Sequence, residues 1–317
     1  MLAFRPAAVA GISSAADSAG LRPQATRCVA GSGAGANAPA PKLLIVPHAG
    51  GACSGPTAGR AYARLARCAA GIRRVVLLGP AHRWANTAIA MPTVDAFESP
   101  RGHVSLDIEA RAALAGLNEV RSDNCIHMFK RSLDIQLPFL QAALGDAFRL
   151  LPLAVGHASP HAVAAVIERL WGGDETVFVI STNLSHALPY QDACLTDRMT
   201  ASRLVDLATD FDPFEACGAH ILNGAMLAAR QHGLRAELLD LCNSGDTGGH
   251  RRQVVGYAAL ALSEPLVAEL LAGCDGSEDH RHGNAALLRH RDCTDARPDP
   301  ARRRQFTRLP GAGPHQP

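Results

Sequence analysis

The sequence predicts an α/β fold, a single domain with a mostly parallel central sheet flanked by helices. Three short apolar runs rich in Val, Ile and Leu, bounded by Gly and Pro, have the composition of strands that are buried on both faces. The runs are Leu43–Val46, Val75–Leu78 and Val177–Ile180. Stretches of helical composition separate them, and alternation of strands with helices is typical of a parallel sheet.

The first of these strands precedes a predicted helix. Ser54-Gly55-Pro56 indicates a helix start with Pro at the first helical position, and helical composition continues over Ala58–Ala69. A shorter strand is predicted at Thr87–Met91. Ser105 is a candidate cap for the next helix, because Asp107 would then lie in its positively polarised first turn.

The second half of the chain continues the alternation. Leu residues at helical spacing between Leu133 and Leu144 predict a helix with one apolar face, which Pro138 either kinks or restarts. Further along, strands are predicted near 148–155, 177–180, 237–242 and 253–262, and helices near 161–171, 196–208 and 214–232.

We expect one α/β domain over residues 42–273. The preceding residues, 1–41, form an N-terminal segment that ends in a Gly- and Ala-rich flexible connection at 29–41. Residues 274–317 turn to Asp, His, Arg and Pro without an apolar period, which predicts a disordered tail.

Composition excludes several classes of partner and compartment. Of the 317 residues 47% are hydrophobic and the net charge is only +2, so neither nucleic acid nor an anionic membrane surface is an expected partner. The sequence has nine cysteines, an odd number, and no C-x-x-C motif, which argues against a disulfide framework. No run of 18 apolar residues and no signal-peptide pattern occurs, so we expect a cytoplasmic protein.

A histidine follows each of the three apolar runs. These histidines are His48, His82 and His186. Since ligands of open α/β sheets bind outside the carboxyl ends of the strands, the three imidazoles are expected to converge on one crevice. Imidazole suits zinc, copper and iron and also titrates near neutral pH, so the pattern predicts a metal or acid–base site.

Each candidate also has a structural interpretation. His48 and His82 could simply pack at strand ends, and His186 could cap the following helix. Asp246 lies in the Gly-rich loop 243–249, where Asp commonly forms turns, but it is also a candidate ligand or base. Cys217 is interpreted as structural, with lining of the pocket as the alternative. His127 is a further candidate for the site.

Several motifs in order along the chain resemble those of the Memo family, relatives of the class III extradiol dioxygenases. Bacterial Memo-like proteins are also labelled component B of the AmmeMemoRadiSam system. The matching segments lie between residues 5 and 262. They are Arg5–Gly11, Pro47–Gly50 with Ser54-Gly55, Gly79–His82, Leu137–Leu140, Ser181–Tyr190, Ala216–Gly218, Asn243–Thr247 and Val254–Ala259.

The resemblance implies a class III extradiol dioxygenase-like fold on which the opening motif at 5–11 packs. It suggests a metal-dependent oxidoreductase of dioxygenase type. In this hypothesis His48 and His82 bind iron, copper or zinc, Asp246 supplies an oxygen ligand, and His186 acts as acid or base. In animal relatives the third metal ligand is a Cys in the loop before the last strand, the loop that contains Asp246 in this sequence.

Departures from the family pattern favour a second hypothesis. The family's Glu-His-Ser before the Leu137 helix is Lys130-Arg131-Ser132 here, and an Asp is replaced by Asn183. If Lys130 and Arg131 point inward, the pocket binds anions. The alternative is therefore a non-enzymatic binding or accessory protein that recognises a small anion or a peptide, or works beside a radical-SAM partner.

Overall fold

The computed structural model describes residues 3–6, 15–32, 38–82, 87–99, 101–128 and 131–265, with side chains from residue 23 onward in the first helix. The predicted tail at 274–317 lies outside the described residues. None of the helices within these ranges has both the length and the apolar character that a membrane span requires.

The strands are β1 (Phe4–Arg5), β2 (Leu43–Val46), β3 (Arg74–Pro80), β4 (Ile89–Met91), β5 (Ala96–Ser99), β6 (Gly102–Ser105), β7 (Val120–Ser122), β8 (Arg149–Val155), β9 (Thr176–Ser181), β10 (His186–Leu188), β11 (Arg235–Asn243) and β12 (Val254–Ser263). The helices are α1 (Ala15–Ala30), α2 (Gly51–Ala66), α3 (Ile108–Ala113), α4 (Asn124–His127), α5 (Arg131–Asp134), α6 (Leu137–Leu144), α7 (Pro160–Arg169), α8 (Tyr190–Val205) and α9 (Ala219–Gln231).

The α/β architecture is confirmed, but the prediction of a mostly parallel sheet is wrong. The main sheet has the order β10-β12-β2-β9-β3-β8-β4-β7, with β11 also paired to β12. Its centre, β2-β9-β3-β8, is parallel, whereas β12 is antiparallel to β2, β10 and β11, and β4 is antiparallel to β8. For β11 and β12 the cause is local, because the loop 244–253 joins them without a crossover helix and the chain folds straight back on itself.

Alternate side chains of the central strands enter two separate apolar layers. Leu43 and Ile45 of β2 belong to the layer covered by α7, α8 and α9. Leu44 and Val46 belong to the opposite layer, which α1, α2 and α6 cover. Burial on both faces explains why these strands are continuous apolar runs. Helices on both sides leave the ends of the strands as the place for a site.

The structure differs from the sequence predictions at several helix ends. Asp107, not Ser105, caps α3, since its carboxylate accepts a hydrogen bond from the Ala110 backbone N–H and Ser105 ends β6. Helix α2 begins at Gly51, before the predicted start at Ser54. Pro138 restarts the chain as α6, because it lies in the first turn, where no backbone N–H is needed.

The short elements β7, α4 and β10 were not predicted, and neither were two larger features. One is α1, which packs against α2 so closely that a Cβ at Gly59 would lie 2.5 Å from the Cys28 carbonyl oxygen. The other is a small separate sheet with the order β1-β5-β6.

Candidate metal centre

Two histidines and one cysteine meet at the carboxyl edge of the parallel strands. The potential ligand atoms of His48, His82 and Cys217 all lie within 4.8 Å of one another. His48 Nε2 is 3.4 Å from His82 Nε2 and 3.5 Å from Cys217 Sγ. In the described part of the chain, this is the one group of three or more His, Cys, Asp or Glu residues with such spacing.

These separations match those expected of ligands that share one metal ion. With metal–nitrogen distances of about 2.05 Å and a metal–sulfur distance of about 2.3 Å, tetrahedral angles place two nitrogens about 3.4 Å apart and nitrogen and sulfur about 3.6 Å apart. The 3.4 Å and 3.5 Å distances around His48 agree with both values. The two separations at His48 therefore fit a shared transition-metal ion, and the ligand atoms of His82 and Cys217 lie within 4.8 Å of each other.

Strand order explains how distant residues reach this edge. His48 lies two residues beyond the end of β2 and His82 two residues beyond the end of β3, and β9 lies between these strands and parallel to both. The imidazole planes meet at 66° with centroids 5.5 Å apart, so the rings converge edge to face and do not stack. The sequence prediction of a shared edge for the two histidines agrees with this placement.

Cys217 reaches the histidines because the chain before α9 is tied to the loop that follows β9. The Cys217 N–H donates to the Asn183 carbonyl oxygen at 3.2 Å, and Cys217 Sγ accepts from the Asn183 N–H at 3.3 Å. The Gly218 N–H donates to Thr182 Oγ1, and a Cβ at Gly218 would lie 2.8 Å from the Thr182 Cβ. Glycine at 218 therefore permits the close approach that places the thiol.

A network of buried hydrogen bonds fixes which nitrogen of His48 faces the centre. Ser181 Oγ donates its proton to the Ser132 carbonyl oxygen and accepts from Gln136 Nε2 at 2.9 Å. Toward His48 Nδ1, 3.0 Å away, the hydroxyl can therefore only accept. Nδ1 carries the proton, and the lone pair of Nε2 points at His82 and Cys217. Tyr62 donates to Gln136 Oε1 and completes the network.

Burial favours the uncharged forms of both His48 and Cys217. Desolvation, reinforced by the nearby His82, His186 and Arg131, lowers the pKa of His48 to about 3. The imidazole is thus neutral at pH 7 and available as a ligand. Burial raises the pKa of the Cys217 thiol, so this side chain must lose a proton when a metal binds.

His186 lies at the start of β10, beside the same centre. Its backbone pairs with Val255 of β12, and its charge acts on His48. The side chain retains solvent contact, yet desolvation by neighbouring groups lowers its pKa below the usual 6.5. The charge of His186 therefore acts on His48, while the residue remains outside the group of three.

Asp246, predicted as an oxygen ligand, is not part of the group of three. Its Oδ1 accepts from the Tyr190 hydroxyl at 2.6 Å, and its Oδ2 accepts from the Asn243 N–H at 2.8 Å. The physical reason is that the loop after β11 closes as a turn on Oδ2, while Oδ1 holds the Tyr190 hydroxyl of α8. This is the turn-forming alternative that the Gly-rich sequence left open.

The remaining candidates are not part of the group of three. His127 is buried with its Nε2 donating to the Ala90 carbonyl oxygen, 3.0 Å away, and its ring beside Phe97. Cys242 Sγ lies 3.0 Å from the Thr57 hydroxyl. Lys130 is outside the described residues. Arg131 is exposed at the start of α5.

Cys217 is the residue whose position beside the two histidines the sequence did not predict. The segment Ala216-Cys217-Gly218 carried the signal, because a glycine beside a cysteine allows the close backbone contact described above. The partner of this contact, the loop after β9, lies far away in the sequence, so local patterns do not reveal it.

Comparisons with known proteins agree with the motifs. The family model described as Memo-like protein matches residues 5–261. A MEMO1 family protein of Ignicoccus hospitalis is 32% identical over 238 residues, which cover 70% of this chain and 82% of the relative. A MEMO1 family protein of Aquifex aeolicus is 33% identical over 232 residues, 69% of this chain and 85% of the relative. A MEMO1 family protein of Methanococcoides burtonii is 32% identical over 237 residues, which cover 69% of this chain and 85% of the relative.

Proposed function

This chain belongs to the Memo-like protein family, and on that premise we propose that it is a metal-dependent enzyme with a mononuclear centre at His48, His82 and Cys217. The observation that carries the proposal is the convergence of the three side chains within 4.8 Å. Three protein ligands with solvent access at His82 are typical of catalytic centres, which keep a coordination position for substrate or water.

The donor set favours copper or zinc over the iron of a dioxygenase. Iron(II) oxygenases commonly use two histidines and one carboxylate, whereas a thiolate is a softer ligand that selects Cu(I) or Zn(II). Here the predicted carboxylate, Asp246, holds a turn, and the third donor is Cys217. Within the oxidoreductase hypothesis, copper is therefore the redox metal that this ligand set supports best.

The protein supplies orientation and proton transfer. A bound ion would act as a Lewis acid on an oxygen atom of the substrate and, if it is copper, would also exchange electrons with it. Ser181 and Gln136 hold the imidazole of His48 in one tautomer. The lowered pKa of His186 keeps that imidazole neutral at pH 7, so it would serve first as a base toward a substrate hydroxyl.

Metal titration tests the proposal. We expect the purified reduced protein to bind one equivalent of Co(II), with the intense visible bands of a tetrahedral ion and a thiolate-to-metal charge-transfer band. The double variant His48→Ala/His82→Ala should lose both spectral features, because it removes two of three ligands. His232→Ala is the matched control, since His232 pairs with Glu168 and stacks on Trp171, away from the centre.

Equal binding by the wild type and the double variant would place the metal elsewhere and overturn the proposal. Absence of Co(II), Zn(II) and Cu(I) binding by the wild type would also overturn it. The accessory-protein hypothesis would then be preferred.

Ser181→Ala is expected to weaken Zn(II) binding about 10- to 100-fold, because outer-shell partners of ligating histidines contribute to metal affinity by that factor. The variant loses the acceptor that keeps the proton on His48 Nδ1. Competition titration with a chromophoric chelator measures the change. Ser159→Ala, which removes the cap of α7, loses about 1 kcal/mol of stability and should keep its metal affinity. Unchanged affinity in Ser181→Ala would contradict the assigned network.

A further inference from the structure

We propose that the ligand of this centre carries a carboxylate group, which the guanidinium of Arg131 binds at the rim of the metal site. The inference rests on the proposed function, because it names the substrate class of that same centre. It is carried by the charges around His48, the attachment of α5 to β3 and the absence of an acidic partner for Arg131 in the described residues.

The charged groups that act on His48 are basic. Among the described residues, His82, His186 and Arg131 lower the pKa of His48. Asn183, at the end of β9, presents a neutral amide, and its Oδ1 accepts the His48 backbone N–H at 2.9 Å. A divalent ion bound by one thiolate and two neutral imidazoles would have a net charge of +1, and the guanidinium of Arg131 would add a second positive charge. Such a site favours an anionic ligand.

The backbone of Arg131 is held close to the centre by its neighbour. Ser132 Oγ donates to the Pro80 carbonyl oxygen at the end of β3, and the Ser132 carbonyl oxygen accepts the Ser181 hydroxyl that orients His48. Arg131 therefore precedes Ser132, whose carbonyl oxygen is linked to His48 through the Ser181 hydroxyl. Its own side chain is exposed, and its charge acts on His48.

Arg131 also differs from the arginines that have structural roles. Arg5, Arg64, Arg74 and Arg203 each form an ion pair with a carboxylate. Within the described ranges, no carboxylate lies within ion-pair distance of Arg131. A guanidinium offers a planar pair of N–H donors that matches the two oxygens of a carboxylate. In this proposal Arg131 is the carboxylate-binding group beside the metal-binding residues.

Acetate titration of the Co(II)-loaded protein tests this inference. We expect acetate to shift the visible bands of the wild type and Arg131→Met to raise the apparent acetate dissociation constant at least about tenfold, the loss of one charge-assisted contact. Arg131→Lys keeps the positive charge but loses the planar pair of N–H donors, so we expect the acetate dissociation constant to rise about threefold. Arg121→Met, which removes an exposed arginine from β7, is the control and should bind acetate as the wild type does.

The outcomes separate this inference from the proposed function. Normal Co(II) bands with equal acetate affinity in Arg131→Met would overturn the carboxylate inference and leave the metal centre standing. Tighter binding of inorganic phosphate than of acetate would overturn the choice of a carboxylate. If Co(II) does not bind, modification of Arg131 by phenylglyoxal, located by peptide mass spectrometry, is the second readout, and failure of acetate to slow it would overturn the inference independently.

Discussion

Replacing Cys217 with alanine is expected to weaken Zn(II) and Co(II) binding by at least about 100-fold, because loss of a direct ligand exceeds the 10- to 100-fold effect of losing an outer-shell partner. The thiol lies 3.5 Å from His48 Nε2, and without it two imidazoles are left, of which that of His82 is exposed. The charge-transfer band of the Co(II) protein should disappear, since it requires a sulfur ligand.

Two control variants make this result specific. Cys242→Ala removes another partly buried thiol, one that contacts Thr57, and should keep both the band and the affinity. Asp246→Asn keeps the shape of the residue that the sequence suggested as the ligand and should also retain the metal, since its oxygens hold Tyr190 and Asn243. Loss of metal in Asp246→Asn with retention in Cys217→Ala would mean that the turn opens to bind metal and that our ligand set is wrong.

The two histidines could be placed from sequence because their positions follow from short-range patterns. An apolar run followed by Gly or Pro marks the end of a buried strand, and parallel strands end at one edge, so His48 and His82 had to share it. The third donor follows from no such pattern. Cys217 precedes α9, and only the hydrogen bonds between its backbone and Asn183 bring it to that edge.

The same distinction applies to the fold. The four parallel strands at the centre are evident as apolar runs because both of their faces are buried. The edge strands are short or pair through turns, and their direction depends on loop geometry that composition does not record. Contacts between residues far apart in sequence, such as Arg5 with Asp134, are not accessible to local patterns at all.

The ion pair of Arg5 and Asp134 is expected to contribute more to stability than the partly exposed ion pairs of the protein. Both side chains are buried, with 4% and 1% of their surface exposed. Arg5 also donates to the His127 carbonyl oxygen at 3.0 Å, and its guanidinium carbon lies 3.6 Å from the centre of the Phe97 ring. The pair joins β1 in the small sheet to α5, which contacts β3, the strand that leads to His82.

Arg5→Met should therefore lower the free energy of unfolding by about 3–5 kcal/mol, because it removes the cation that compensates the buried charge of Asp134. Urea denaturation of the metal-free protein measures the loss. The double variant Arg5→Met/Asp134→Leu should recover most of it, since no uncompensated charge remains. Arg203→Met, which breaks partly exposed ion pairs with Asp210 and Glu215, should cost about 1 kcal/mol or less. If Arg5→Met costs no more than this control, the pair does not hold the N-terminal strand to α5, and apolar packing of Phe97 must do so instead.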